Sequence, residues 1–117
     1  MSSVSLKSSK QLEKDIKKQI LHWLLHDIRC FAWITATTGL FDSKLGFFRT
    51  APKRGVPDIL GVYRSKAFGI EVKTATGRLR PDQKDFAEAF QLAGGVFILA
   101  RSLEEAQEKW SEKFPKV

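Results

Sequence analysis

The stretch VPDILGVYRSKAFGIEVK, residues 56–73, decides the architecture. Val56 to Tyr63 and Phe68 to Lys73 are apolar runs separated by a short polar segment, so they read as two strands of an antiparallel hairpin. In Ile70-Glu71-Val72-Lys73 the side chains alternate, which puts Glu71 and Lys73 on one face and turns Ile70 and Val72 into the core. Pro57 fits a strand start or an edge, and Asp58 follows it. With the hairpin closing near Arg64-Ser65-Lys66, Asp58 falls across from Glu71 or one position away, and such neighbours stand about 5 Å apart at Cβ. Two carboxylates so placed repel unless something positive lies between them. Two oxygen ligands suit a hard cation such as Mg²⁺, with water and phosphate completing its shell. Lys73 would stand beside it, able to orient or help deprotonate an attacking water and to balance charge on a phosphate. The plainer reading of the same residues is a surface hairpin with a cross-strand salt bridge.

Outward from the hairpin, Ser8 or Ser9 can cap a first helix that runs to about Ile28, with Leu12, Ile16, Ile20, Trp23 and Leu24 at helical spacing. Cys30 to Thr35 reads as a strand, and residues 36–55 as a loop punctuated by Gly39, Gly46, Pro52 and Gly55. Pro81 suits the first turn of a second helix that Gly94-Gly95 ends. Val96 to Ala100 is a short apolar strand covered on both faces. Ser102-Leu103-Glu104-Glu105 opens a last helix through Trp110. The order is α-β-β-β-α-β, which implies an α/β domain with a mixed central sheet flanked by helices. Two polar residues fall on inward arcs. Glu13 lies among Leu12, Ile16, Ile20 and Leu24, and Gln83 leads the series Phe86, Ala87, Phe90. Both can converge on the face that carries Asp58, Glu71 and Lys73. Alternatively, Glu13 pairs with Lys17 at i+4 on an exposed face, and Gln83 is a simple hydrogen bonder at a helix start.

The chain has 117 residues, enough for a single domain, with residues 1–8 expected as a flexible tail. Its 43% apolar and 28% charged residues are an ordinary globular composition. The surplus of seven positive charges lies in the middle third, where residues 44–80 hold nine basic residues against two acids, Asp58 and Glu71. That balance favours a polyanion, nucleic acid before membrane. Isolated acids repel a phosphate backbone unless a divalent cation reverses their sign, which is the first hint of catalysis. A single cysteine, Cys30, excludes an internal disulfide and a cysteine-based zinc cluster, and it reads as a small core hydrophobe. His22 and His26 project away from the apolar stripe and read as a surface pair. Trp23, Trp33 and Trp110 read as core anchors. The start of the chain lacks an apolar signal region and no run approaches a membrane span, so the expected setting is intracellular and cytoplasmic, in a bacterial or phage-infected cell.

Gly55-Val56-Pro57-Asp58, Gly69-Ile70-Glu71-Val72-Lys73 and Gln83 after Arg80-Pro81-Asp82, with Glu13 upstream, resemble the PD-(D/E)xK nuclease superfamily. Within it the likeness is to the stand-alone VRR-NUC (virus-type replication–repair nuclease) domain, similar to Holliday-junction resolvases. The resemblance spans Glu13 to about Ala100 and implies a restriction-endonuclease-like core. It implies Asp58, Glu71 and the Val72 carbonyl as ligands of Mg²⁺ or Mn²⁺, with Glu13 a ligand to the same or a second metal. Lys73 would be the catalytic lysine and Gln83 a supporting residue. The expected activity is structure-selective endonucleolytic cleavage of branched DNA such as four-way junctions, by a homodimer. Arg49, Lys53, Arg54, Arg78 and Arg80 flank the acids in sequence and are expected to grip the backbone. The loop from Thr37 to Phe48, holding Leu40, Phe41, Leu45, Phe47 and Phe48, is the expected dimer contact or else folds back over its own core. A non-catalytic DNA-binding module of the same fold and a small sequence-specific restriction-type endonuclease are the competing readings.

Overall fold

The structure is a computed structural model that describes residues 8–35 and 53–116 in full, together with the backbone of 40–42 and 47–49. It opens with helix α1 (Ser9–Trp23), whose cap is Ser8, its side chain accepting the Gln11 amide. The helix continues as a π-helical turn, Leu24–Ile28, and ends at Arg29 in the left-handed region. The apolar spacing that predicts a helix to Ile28 therefore yields one, with a widened last turn.

Strand β1 (Phe31–Ile34) follows, then two short strands, β2 (Leu40–Asp42) and β3 (Phe47–Arg49), which pair with each other in a separate two-stranded sheet. The expected loop over 36–55 thus contains a hairpin. Its flanks Leu40-Phe41 and Phe47-Phe48 have the apolar, aromatic character that favours strands. The side chains of that hairpin, and with them the expected dimer contact, lie outside the described residues, as do residues 1–7 of the expected tail.

Strands β4 (Ile59–Tyr63) and β5 (Lys66–Val72) form the antiparallel hairpin, from Ile59 opposite Ile70 to Tyr63 opposite Lys66. Arg64 and Ser65 both have positive φ, 50° and 66°, the two-residue turn whose twist matches that of its strands. Helix α2 (Pro81–Leu92), strand β6 (Val96–Ala100) and helix α3 (Leu103–Lys113) complete the chain. Pro81 opens α2, Gly94 at φ 98° follows its end, and the Ser102 hydroxyl caps α3 by accepting the Glu105 amide. The main sheet has the order β1-β4-β5-β6, antiparallel except for the parallel pair β5–β6. The molecule is therefore mixed α/β, with a four-stranded mixed sheet and three α-helices among the described residues.

One face of the sheet, bearing Ile59, Phe68, Ile70, Val72, Ile98 and Ala100, packs on Ile20, Trp23 and Leu24 and on Ala106, Trp110 and Phe114. Trp110 stands edge-on to both Trp23 (5.6 Å between centroids) and Phe68 (4.9 Å). On the opposite face Phe97, level with Gly69, lines a groove with Ala87 and Gln91 of α2. Beyond α2, Phe31, Trp33 and Val62 on that face are exposed. Trp33 is therefore not a core anchor. It sits on edge strand β1, opposite the helices that bury Trp23 and Trp110. Cys30 is half-buried against the core, one residue before β1, and burial raises its thiol pKa, its own backbone hydrogen bond acting the other way. His22 and His26 are an exposed pair with ring centroids 4.2 Å apart and planes tilted by 32°.

Candidate active site

The acids meet where the sheet runs out. Asp58 lies one residue before β4, and continuing the register of Ile59 with Ile70 sets it opposite Glu71. Its main chain is held from the other side, where its carbonyl accepts the Thr35 amide at 2.9 Å and the Thr35 hydroxyl donates to the Pro57 carbonyl at 2.6 Å. The carboxylate turns inward, and Oδ2 accepts the Val72 amide at 2.8 Å. A side chain thus takes a hydrogen bond that a longer β4 would have supplied from its backbone.

Glu71 points away from the core residues Ile70 and Val72, as the alternation predicts, yet it is only 3% exposed. Its carboxyl pKa is pushed up to about 9, first by burial, then by the hydrogen bond and negative charge of Asp58, with Lys73 and Arg80 opposing. Among the described residues its Oε2 is the buried side-chain oxygen or nitrogen with no hydrogen-bond partner. Such an atom costs about 1–3 kcal/mol and calls for an explanation. Lys73 follows Val72, the last residue of β5, and its amide donates to the Ala100 carbonyl at 3.1 Å. Asp58, Glu71, Val72 and Lys73 are therefore brought together, and the reading as an exposed surface hairpin fails on burial.

The helical residues divide differently. Gln83 is buried, but its Oε1 accepts the Arg80 amide at 2.9 Å and so closes the first turn of α2. This is the bonding of a helix-start residue. Arg80 lies close enough to lower the pKa of Glu71, so the start of α2 borders the acids. Glu13 does not join them: among the described residues no three His, Cys, Asp or Glu side chains are grouped to hold a metal ion. Burial along α1 explains why. Leu12 is 42% exposed and Ile20 fully buried, so the helix approaches the sheet only toward its C-terminal half. One turn after Glu13, Lys17 reaches Asp58, with Nζ 3.4 Å from Oδ1. Lys17 is the site residue that the sequence reading misses. The i+4 relation to Glu13 suggests a local partner instead.

The described basic residues expected to grip a backbone are exposed, and of these Arg80 acts on Glu71. Lys53 and Arg54 are exposed and line a groove with Asp82, Asp85 and Phe86 of α2. Gly55 holds their loop in place: at φ 75° its Cα packs so tightly on α2 that a Cβ would lie 2.1 Å from the Asp82 carbonyl oxygen. Arg78 is exposed. Arg80 is also exposed, and its guanidinium donates to Asp82 at 3.2 Å, holding that carboxyl below its usual range. The side chain of Arg49 lies outside the described residues. Arg101 fastens the intervening turn by donating to the carbonyls of Thr74 and Gly77, the latter at 2.7 Å. No sequence signal marks Arg101, because the clamp exists only once β6 lies beside β5. No helix among the described residues is long and apolar enough to cross a membrane. No protein-family model matches the chain, and no curated protein matches it.

Proposed function

We propose that the chain is a metal-dependent, structure-selective DNA endonuclease of the PD-(D/E)xK type, VRR-NUC-like, with a restriction-endonuclease-like core. One observation carries the reading: Asp58 and Glu71 are buried in contact, beside Lys73, and Glu71 Oε2 has no partner. A buried acid pair without a full complement of donors is costly for stability and is a common mark of a functional site. The donor set fits Mg²⁺ or Mn²⁺, since hard oxygens at Asp58 Oδ1, Glu71 Oε2 and the Val72 carbonyl suit such an ion. Bound there, the ion would polarise a phosphate oxygen and acidify a water. Lys73 would then orient the attacking water toward phosphorus and offset the charge that gathers on the phosphate. Lys53, Arg54, Arg78 and Arg80, with Arg49, would hold the backbone of a branched DNA, positioning it without reading bases. Two symmetric nicks across a four-way junction call for two such centres, so the proposal includes a two-fold homodimer.

The test is incubation with Mg²⁺ or Mn²⁺ and duplex, flap, fork and four-way-junction DNA. Cleavage of branched substrates, abolished in D58A, E71A and K73A, is expected. Wild-type cutting by E71A would overturn the assignment, and cutting at one sequence in plain duplex would instead favour a restriction-type enzyme. Sedimentation at micromolar concentration without DNA should give a dimer rather than a 13.3 kDa monomer. A non-catalytic DNA-binding module is favoured by one feature, the Lys17 ammonium already on Asp58. Junction binding with no cleavage under any metal would select it.

A further inference from the structure

Asp58 uses its two oxygens differently. Oδ2 serves the fold by accepting the buried Val72 amide, and Oδ1 faces Lys17 across 3.4 Å. That separation exceeds the roughly 2.7–2.9 Å of a tight charge-assisted hydrogen bond, so the ammonium attends Oδ1 without being locked to it. The Lys17 side chain is 21% exposed, so it reaches solvent as well as Asp58. For a divalent ion on this carboxylate Oδ1 is the more open oxygen, because Oδ2 already accepts the Val72 amide. We propose that Lys17 is a positioning residue that occupies the cation's place at Asp58, orients Oδ1 while no metal is bound, and competes with the metal for that atom. The inference rests on the metal-dependent reading above. Ammonium and metal ion seek the same lone pairs, so one excludes the other, and the displaced ammonium continues to repel the ion from a few ångströms away.

The test is titration of the full-length protein with Mn²⁺ alone, without DNA, at fixed pH and ionic strength, followed by calorimetry. Removing the charge in K17M should tighten Mn²⁺ binding about tenfold, the size expected for one charge acting on a divalent ion at ~5 Å through water-like surroundings. K17Q, which keeps a donor near Oδ1 without the charge, should also bind more tightly, whereas K17R should match wild type. A merely structural tether predicts the opposite sign, since a disoriented Asp58 would bind more weakly. Equal or weaker binding by folded K17M or K17Q, with wild type binding Mn²⁺, overturns the role of Lys17 and leaves the metal reading standing. No binding by folded wild type overturns both.

Discussion

Replacing Glu71 by Gln keeps the shape of the buried side chain and removes its ionisation. In the metal-free protein the Glu71 carboxyl titrates near 9, against 4.5 for the free side chain. The folded chain therefore keeps this proton through a window in which the unfolded chain has released it. Its contribution to stability is complete below about 4.5 and is lost as pH rises toward 9. Each unit of that window is worth about 1.4 kcal/mol, so from pH 5 to pH 8 wild type should lose ~4 kcal/mol relative to E71Q. Taking the difference between the two proteins cancels the titrating groups remote from residue 71 and leaves the coupled pair it forms with Asp58. Urea unfolding in EDTA at pH 5, 6.5 and 8 measures it. Parallel stability profiles would refute the burial and acid-pair argument. A wild type that gains on E71Q with rising pH would reverse its sign.

Mn²⁺ should raise the melting temperature of wild type more at pH 8 than at pH 5, and that of E71Q little at either, because the ion stabilises the ionised pair. In cleavage assays Mg²⁺ or Mn²⁺ should support turnover and Ca²⁺ should bind without it, while EDTA stops the reaction without unfolding the protein. D58N keeps an acceptor for the Val72 amide and D58A does not, so in EDTA D58A should unfold ~1–3 kcal/mol more easily than D58N; equal midpoints would dismiss that bond. G55A should cost ~3 kcal/mol or more, since its Cβ meets the α2 backbone at a positive φ, and a melt within about 2 °C of wild type would contradict the packing. Alanine at Lys53, Arg54 and Arg78 together should weaken DNA binding across sequences and lower the salt slope by ~1 for each phosphate that is no longer neutralised.

The part of the site built on strands is legible because its period is two. Once Glu71 is assigned to a strand beside Ile70 and Val72, its face follows, and a short turn at Arg64-Ser65 fixes Asp58 to within a residue of it. The helical part is harder to read. An arc of 100° per residue tells which side of α1 is inward but not where along its axis the helix leaves the sheet, and that distinction separates half-exposed Glu13 from Lys17. Trp33 misleads for a related reason: apolar character marks a residue able to be buried, while an edge strand can leave it without a cover. The hairpin at 40–42 and 47–49 is hidden by Gly39, Gly46 and Pro52, whose turn signals outweigh two three-residue strands. Arg101 bonds to carbonyls that any sequence would supply, so its clamp leaves no trace in residue identity.

Under the proposed nuclease reading, the unequal bonding of the two acids bears on how relatives of this chain could be sorted into working enzymes and silent descendants. A descendant that had lost its chemistry would still need an acceptor at position 58, since the Val72 amide would otherwise be buried without one. Asp or Asn there would persist under selection for folding alone, and finding one says little about activity. Glu71 carries no comparable structural duty: it bonds to the other acid, its Oε2 has no partner among the described residues, and its burial burdens the fold at neutral pH. Drift should replace it with Gln, Val or Leu soon after catalysis ceased to matter. An intact acid at position 71 is thus the more telling witness, and variation there, rather than at 58, would date the loss of activity in a lineage.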